Sequence, residues 1–250
     1  MTVPSAEYFD GWYADMAASP AKDELVRRHL GLPPGLLSTS LLGWRALAEV
    51  TDALRLGEGN TLLDLACGRG GYGLEVAART GARLVGVDFS AEAVRQASAN
   101  AQRLGRRARF TVGSLASTGL ADSSVDGVLV VDAIQFADPP GAAYREIARV
   151  LRPGGRLVLT GWEARDRDDD RVPDRLRRTD MSGGLHTAGF SAVEVAERPD
   201  WFAAERRLWE DAAALEPGTD PALRSLHEEA VSSLARHELV RRVLASATRP

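Results

Sequence analysis

The 250-residue chain is 44% hydrophobic and 26% charged, an ordinary balance for one globular α/β domain with an accessory region. Its formal net charge of −4 argues against nucleic acid as a partner, no run is long and apolar enough to span a membrane, and the first residues lack the basic-then-apolar pattern of a secretory signal. Cys67 is the single cysteine, so no intramolecular disulfide can form, and a cytoplasmic location is expected.

Residues 5 to 30 read as helical, with Tyr8, Phe9, Trp12, Tyr13 and Met16 in an aromatic stripe. The stripe suits either a helix packed on the core or a flap over a ligand. Gly31-Leu32-Pro33-Pro34-Gly35 breaks the pattern, and the hydroxyls of Ser38, Thr39 and Ser40 are candidate caps for a helix over about 41 to 55. Strands are expected at 61 to 66, 83 to 87, 108 to 112, 126 to 131 and 156 to 160. Helices follow over 71 to 79, from Ser90 to Gly105, and from Asp138-Pro139-Pro140 to Leu151. Strands alternating with helices imply a mostly parallel sheet.

Residues 163 to 180 are dense in charge, including Asp168-Asp169-Asp170. A solvated loop with interspersed arginines explains this run better than a divalent metal site, so no metal is expected. Two helical patterns lie near 201 to 215 and 220 to 237, the second opened by Asp220-Pro221. A last strand is expected at 241 to 248.

The most informative stretch is Leu62-Leu63-Asp64-Leu65-Ala66-Cys67-Gly68-Arg69-Gly70-Gly71-Tyr72-Gly73. An apolar run ends in a carboxylate, a glycine-rich turn follows, and Asp88 closes the next apolar run. This is how a parallel sheet builds a nucleotide cradle, with the second acid accepting from ribose hydroxyls. Gly68, Gly70 and Gly73 satisfy G-x-G-x-x-G, and Asp88 lies 18 positions after Gly70, which taken alone fits a nicotinamide dinucleotide. Asp64 argues otherwise: a pyrophosphate needs neutral or positive surroundings at the turn, whereas a carboxylate suits a ligand with an ammonium and a sulfonium.

The Asp64 to Gly70 motif resembles the first motif of class I S-adenosylmethionine-dependent methyltransferases, with Ala66 where that family usually has a glycine. Ser123 to Asp132 resembles the lead into the family's fourth strand, and Arg149 to Leu159, with Pro153-Gly154-Gly155, its helix, turn and fifth strand. Leu185 to Val195 is similar to its last helix and sixth strand, so the resemblance covers roughly residues 45 to 200. It implies a Rossmann-like seven-stranded, mostly parallel sheet with helices on both faces, the last strand antiparallel between the fifth and sixth. Within a single domain it implies an N-terminal flap over 1 to 55, a cofactor-binding core over 56 to 200, a helical insertion over 201 to 238 and a last strand over 239 to 250.

The resemblance also implies S-adenosyl-L-methionine as cofactor, S-adenosyl-L-homocysteine as product, and roles for single residues. Asp88 and Phe89 would face the ribose, and Ser114 and Leu115 the adenine. Asp64, Ala66, Cys67, Gly68 and Gly70 would hold the methionine end, and Asp132, Ala133, Gln135 and Tyr13 the sulfonium side. Tyr8, Trp12, Phe136, Trp162 and Trp209 are candidates for walling the acceptor, expected to be a small organic molecule methylated on O, N or C in secondary metabolism. His29, His186, His227 and His237 lie in no recognisable catalytic motif, so no general base is assigned. A non-methylating rearrangement or cyclisation by the same fold stays open, as does a homodimer.

Overall fold

A computed structural model describes residues 5–250. Seven strands form one sheet: β1 (Thr61–Leu65), β2 (Arg83–Asp88), β3 (Ala108–Val112), β4 (Val125–Val131), β5 (Leu151–Ala164), β6 (Ser191–Glu197) and β7 (Val240–Thr248). Their spatial order is β3-β2-β1-β4-β5-β7-β6, with β1 to β5 parallel to their neighbours and β7 antiparallel between β5 and β6. The order reverses between β1 and β4, which opens a crevice beyond the carboxyl ends of those strands. The expected Rossmann-like architecture is the observed one.

Strand β1 is buried throughout, and β4 nearly so, because helices cover both faces. One core cluster joins Leu62, Leu129 and Val158 to Leu47, Val50 and Leu54 of α3 (Trp44–Leu54). The other joins Leu63, Val128 and Leu159 to Tyr144 and Ile147 of α6 (Pro140–Val150). Helices α4 (Gly71–Thr80) and α5 (Ala91–Arg103) follow β1 and β2, and Ser90 caps α5 through the Ala93 amide, as its sequence position implies.

Three expectations are corrected. The N-terminal helical stretch is two helices, α1 (Ala6–Ala17) and α2 (Pro20–Leu30), because Ser19 and Pro20 supply an N-cap and a first-turn proline that start a new helix. The hydroxyls before α3 do not cap it: Gly43 is its N-cap, Ser38 accepts from the Ser40 amide, and Ser40 donates to the Val131 carbonyl. Strand β5 is longer than expected. Leu151 already pairs with Val125, and Arg156 with Gly127, so Arg152 to Gly155 bulge out of a continuous strand.

The charged stretch after β5 contains α7 (Asp174–Arg177), and α8 (Met181–Thr187) leads into β6. Asp169 pairs with Arg171, and no group of three or more metal-ligating side chains exists among the described residues. Helices α9 (Pro199–Ala213) and α10 (Pro221–Ala235) lie between β6 and β7, with Asp220 capping α10. Among the described residues no helix is long and apolar enough to cross a membrane.

Candidate active site

The turn after β1 is shaped by backbone conformation. Ala66, Gly68 and Gly70 all have positive φ, at 60°, 51° and 76°. The two glycines serve different neighbours. A Cβ on Gly68 would meet the Tyr13 hydroxyl oxygen at 3.0 Å and Thr39 Oγ1 at 3.3 Å, on the side of the N-terminal helices. A Cβ on Gly70 would meet Ala97 and Phe110, each at 3.1 Å, so Gly70 permits close packing of the turn against α5 and β3. Gly73 admits Asp64: a Cβ there would lie 2.4 Å from its Oδ2.

Two carboxylates are buried at this turn. Asp64 accepts from the Gly73 amide at 3.1 Å, and Asp88 accepts from the amides of Gly68 at 2.8 Å and Ser90 at 3.0 Å. Each is 3% exposed. Burial pushes the Asp64 carboxyl up to about 7, against the Gly73 hydrogen bond and with help from the Asp88 charge. Burial also raises Asp88, opposed by the amides of Ser90, Gly68 and Phe89. Neither carboxylate has a cationic side chain paired with it among the described residues. A site with two desolvated carboxylates and no cation fits a ligand that brings positive charge, and it disfavours a pyrophosphate. The residues present therefore fit S-adenosylmethionine better than a nicotinamide dinucleotide.

Helix α1 lies across this crevice. Phe9 packs against Phe89 at 5.1 Å and Phe136 at 6.0 Å between ring centroids, and also against Tyr13 and Trp12. Tyr13 is buried, and its pKa is raised well above the ordinary value, first by burial and then by the Asp88 charge. Asp10 fastens the helix: its carboxylate accepts from the Ser90 hydroxyl at 2.5 Å and the Glu92 amide at 3.1 Å, at the electropositive N-terminus of α5. Tyr8 is 57% exposed and packs edge-on against Phe9 at 5.5 Å between ring centroids.

The loop after β3 begins at Gly113, whose amide donates to the Asp88 carbonyl at 3.0 Å. Ser114 and Ser117 then exchange two backbone hydrogen bonds, with Leu115 between them. Cys67 Sγ lies near the Gly68 carbonyl, and burial raises its thiol well above the ordinary range. Past β4, Gln135 Nε2 donates to the Asp132 carbonyl at 2.8 Å, which leaves its buried Oε1 without a partner among the described residues. Ala133 is buried beside it.

The Asp132 carboxylate is fully engaged. It accepts from Arg242 Nη1 at 2.5 Å and Nη2 at 3.0 Å, from Thr160 Oγ1 at 2.7 Å and from the Leu41 amide at 3.0 Å. Arg242 has no exposed surface, lies over the Trp162 ring at 4.2 Å, and approaches Glu205 at 3.8 Å. Glu205 accepts from the indole N–H of both Trp162 and Trp209, each at 3.0 Å, and burial pushes its carboxyl up to about 7 against the Arg242 charge. Trp162 and Trp209 thus converge on one buried carboxylate rather than on the turn after β1.

The structure brings Tyr13, Asp64, Cys67, Gly68, Asp88, Phe89, Trp12 and Phe136 to one crevice. Sequence reasoning missed Asp10, Arg242 and Glu205. The available signal for Arg242 was Arg241-Arg242 inside an otherwise apolar strand, where period-two alternation must turn one arginine inward.

Residues 63–159 match a family described as a methyltransferase domain. A sterol 24-C-methyltransferase of Gibberella zeae is 31% identical over 173 residues, covering 65% of this chain and 44% of that protein. The chain thus spans less than half the length of that curated relative. Among solved structures, the cyclase SpnF is similar over 100% of this chain and 98% of its own, with a TM-score of 0.73 at 22% identity. A geranyl diphosphate C-methyltransferase of Streptomyces coelicolor A3(2) covers 93% of this chain and 99% of its own, with a TM-score of 0.68 at 18% identity. The motif at the turn after β1 and the sheet order with its antiparallel β7 agree with the matched family: residues 63–159 are similar to a methyltransferase domain, carried on a Rossmann-like sheet.

Proposed function

We propose that the protein transfers a methyl group from S-adenosylmethionine to an O, N or C atom of a small organic molecule, in secondary metabolism. The observation that carries this reading is the pair of buried carboxylates, Asp64 and Asp88, with no side-chain cation beside them among the described residues. Asp88 would accept from the ribose hydroxyls while its other lone pairs hold the Gly68 and Ser90 amides. Asp64 would meet the ammonium end, and Gln135, whose buried Oε1 has no partner among the described residues, would line the sulfonium side. Ser114 and Leu115 would border the adenine.

When bound, S-adenosylmethionine supplies a methyl group already activated by its sulfonium. The chain has then to align an acceptor and exclude water. Phe9, Tyr13, Phe89 and Phe136 form the apolar cover that does the second, and a ring face beside a sulfonium adds a cation–π attraction. Trp12 and Tyr8 extend the cover outward, and Trp162 and Trp209 stiffen the wall opposite through Glu205.

Incubation with methyl-labelled S-adenosylmethionine and a panel of small organic acceptors tests the reading. Label transfer with formation of S-adenosylhomocysteine supports it. Loss of the reading follows if native mass spectrometry and calorimetry detect no binding of either nucleoside. One further observation favours a second reading: the cyclase SpnF matches the chain end to end. On that reading this chain would bind the nucleoside and catalyse a rearrangement or cyclisation with no S-adenosylhomocysteine formed.

A further inference from the structure

The turn after β1 is soft in itself and is held from outside. Gly68 and Gly70, both at positive φ, flank Arg69. Side chains from three other elements, β2, α5 and α2, fix these residues. Asp88 accepts from the Gly68 amide at 2.8 Å. Asn100 of α5, 3% exposed, donates Nδ2 to the Arg69 carbonyl at 3.2 Å. Asp23 of α2 accepts from Arg69 Nη1 with both carboxylate oxygens, at 2.9 and 2.7 Å.

By charge, Arg69 is out of place in this turn. Asp64 and Asp88 offer two buried carboxylates to a ligand that carries a sulfonium and an ammonium, yet Arg69, within the same turn, is 6% exposed and permanently positive. An uncompensated cation there would repel the ligand through a poorly screened interior. Asp23 removes that repulsion: among the described residues it is the one carboxylate in salt-bridge contact with Arg69. Lys22 is 3% exposed, and its Nζ lies 3.8 Å from Asp23 Oδ1. One carboxylate thus serves two buried cations, so its loss would uncover positive charge beside the cradle.

Helix α2 brings Asp23 to the turn. Its Leu25, Val26 and Leu30 are buried in the core cluster that also holds Tyr72 of α4 and Leu208 and Trp209 of α9. We infer that Asp23 is a positioning residue for the cofactor: through Arg69 it fixes the turn and cancels the turn's positive charge, so that α2 in its docked place readies the cradle for a cationic nucleoside. The inference rests on the methyltransferase reading for the identity of that nucleoside. It gives α2 a part in favouring the charged S-adenosylmethionine over S-adenosylhomocysteine, whose sulfur is neutral.

Calorimetric titration of the full chain with both nucleosides tests this, because the two differ only by the methyl group and its sulfonium charge. The readout is the ratio of their dissociation constants. Asp23→Asn keeps the shape and exposes the Arg69 charge, so the ratio should shift against S-adenosylmethionine by about fivefold or more, and by more at low salt. Arg69→Gln removes the cation and should shift the ratio the opposite way. The double variant should return close to the wild-type ratio. A merely structural role would weaken both nucleosides alike. An unchanged ratio in the single variants, or a shift of the same sign in both, overturns the inference. Should Asp23→Asn not fold, the Arg69→Gln shift alone decides it. If the wild-type protein binds neither nucleoside, the methyltransferase reading falls and the inference falls with it, whereas wild-type binding with unmoved ratios overturns the inference alone.

Discussion

The guanidinium of Arg242 on β7 grips the carboxylate of Asp132 at the end of β4, although 110 residues separate them along the chain. Asp132 sits at φ 57° and also receives the Leu41 amide and the Thr160 hydroxyl. One buried ion pair thus joins β4, β5, β7 and the segment before α3. Because Asp132 is already saturated, the pair fixes the start of the segment Ala133 to Gln135, whose Gln135 Nε2 donates to the Asp132 carbonyl.

Arg242→Met should destabilise the fold by about 3 to 5 kcal/mol, because it strands a buried carboxylate. The double variant Arg242→Met with Asp132→Leu should recover part of that loss. A chemical denaturation series on the single and double variants measures both, and a double variant no more stable than the worse single would show that the pair is not the source.

Asp88→Ala should weaken S-adenosylmethionine binding by about 1.5 to 3 kcal/mol, since it removes charge-assisted hydrogen bonds to the ribose. The structure adds a second effect: the Gly68 and Ser90 amides lose their acceptor, so a lower melting temperature is expected too. Calorimetry and a thermal melt separate the two, and unchanged affinity would mean that Asp88 serves the turn alone.

Asp64 makes binding depend on pH. Its folded-state value of about 7 lies above the unfolded 3.8, so protonation favours the folded protein. That contribution is complete below about pH 4 and is lost as pH rises to about 7. A cationic ligand prefers the ionised form, so affinity for S-adenosylmethionine should be roughly tenfold weaker near pH 5.5 than near pH 7.5, with a proton released on binding. Asp64→Asn should flatten this profile, and a wild-type profile that is already flat would remove Asp64 from the site.

Gly68→Ala and Gly70→Ala should affect ligand binding and folding differently. At Gly68 the positive φ also strains an added side chain, and its Cβ crowds the Tyr13 hydroxyl beside the crevice, so affinity for the nucleoside should fall along with stability. At Gly70 it crowds Ala97 and Phe110, and the positive φ adds strain, so stability should fall by about 1 kcal/mol or more. Paired melts and titrations read both effects.

Asp10→Ala should free α1 from the N-terminus of α5. Hydrogen exchange across Ala6–Ala17 should quicken while exchange in the strands stays unchanged. Equal exchange in variant and wild type would show that the aromatic contacts hold the helix unaided.

The cofactor half of the molecule was legible because its signals are local. The Asp64-to-Gly73 turn, the Ser90 cap and the Asp220-Pro221 start each lie within a few residues, where spacing alone carries the physics. The break between α1 and α2 was equally local, in Ser19-Pro20, but the aromatic stripe running across it masked the new start. The segment from Ser38 to Leu42 was not legible. Its hydroxyls looked like caps, yet the segment is held by the Tyr72 hydroxyl and by Asp132, groups that only the folded sheet delivers. The shared partner of Trp162 and Trp209 was not legible for the same reason: composition shows aromatic residues, whereas only the fold brings Glu205 to both indole N–H groups.

The placement of β7 has a consequence for the order in which the protein can assemble. Strands β1 to β5, with the turn that carries Asp64 and Asp88, can pair as each is made. Among the described residues strand β6 pairs with β7 alone, and β5 keeps a bare edge until the same strand arrives. The turn that carries Asp64 and Asp88 can therefore form on a growing chain while the arginine that steadies Asp132 is still unsynthesised. An early intermediate would grip the nucleoside loosely, and insertion of one strand between two others would lock both halves in a single late step.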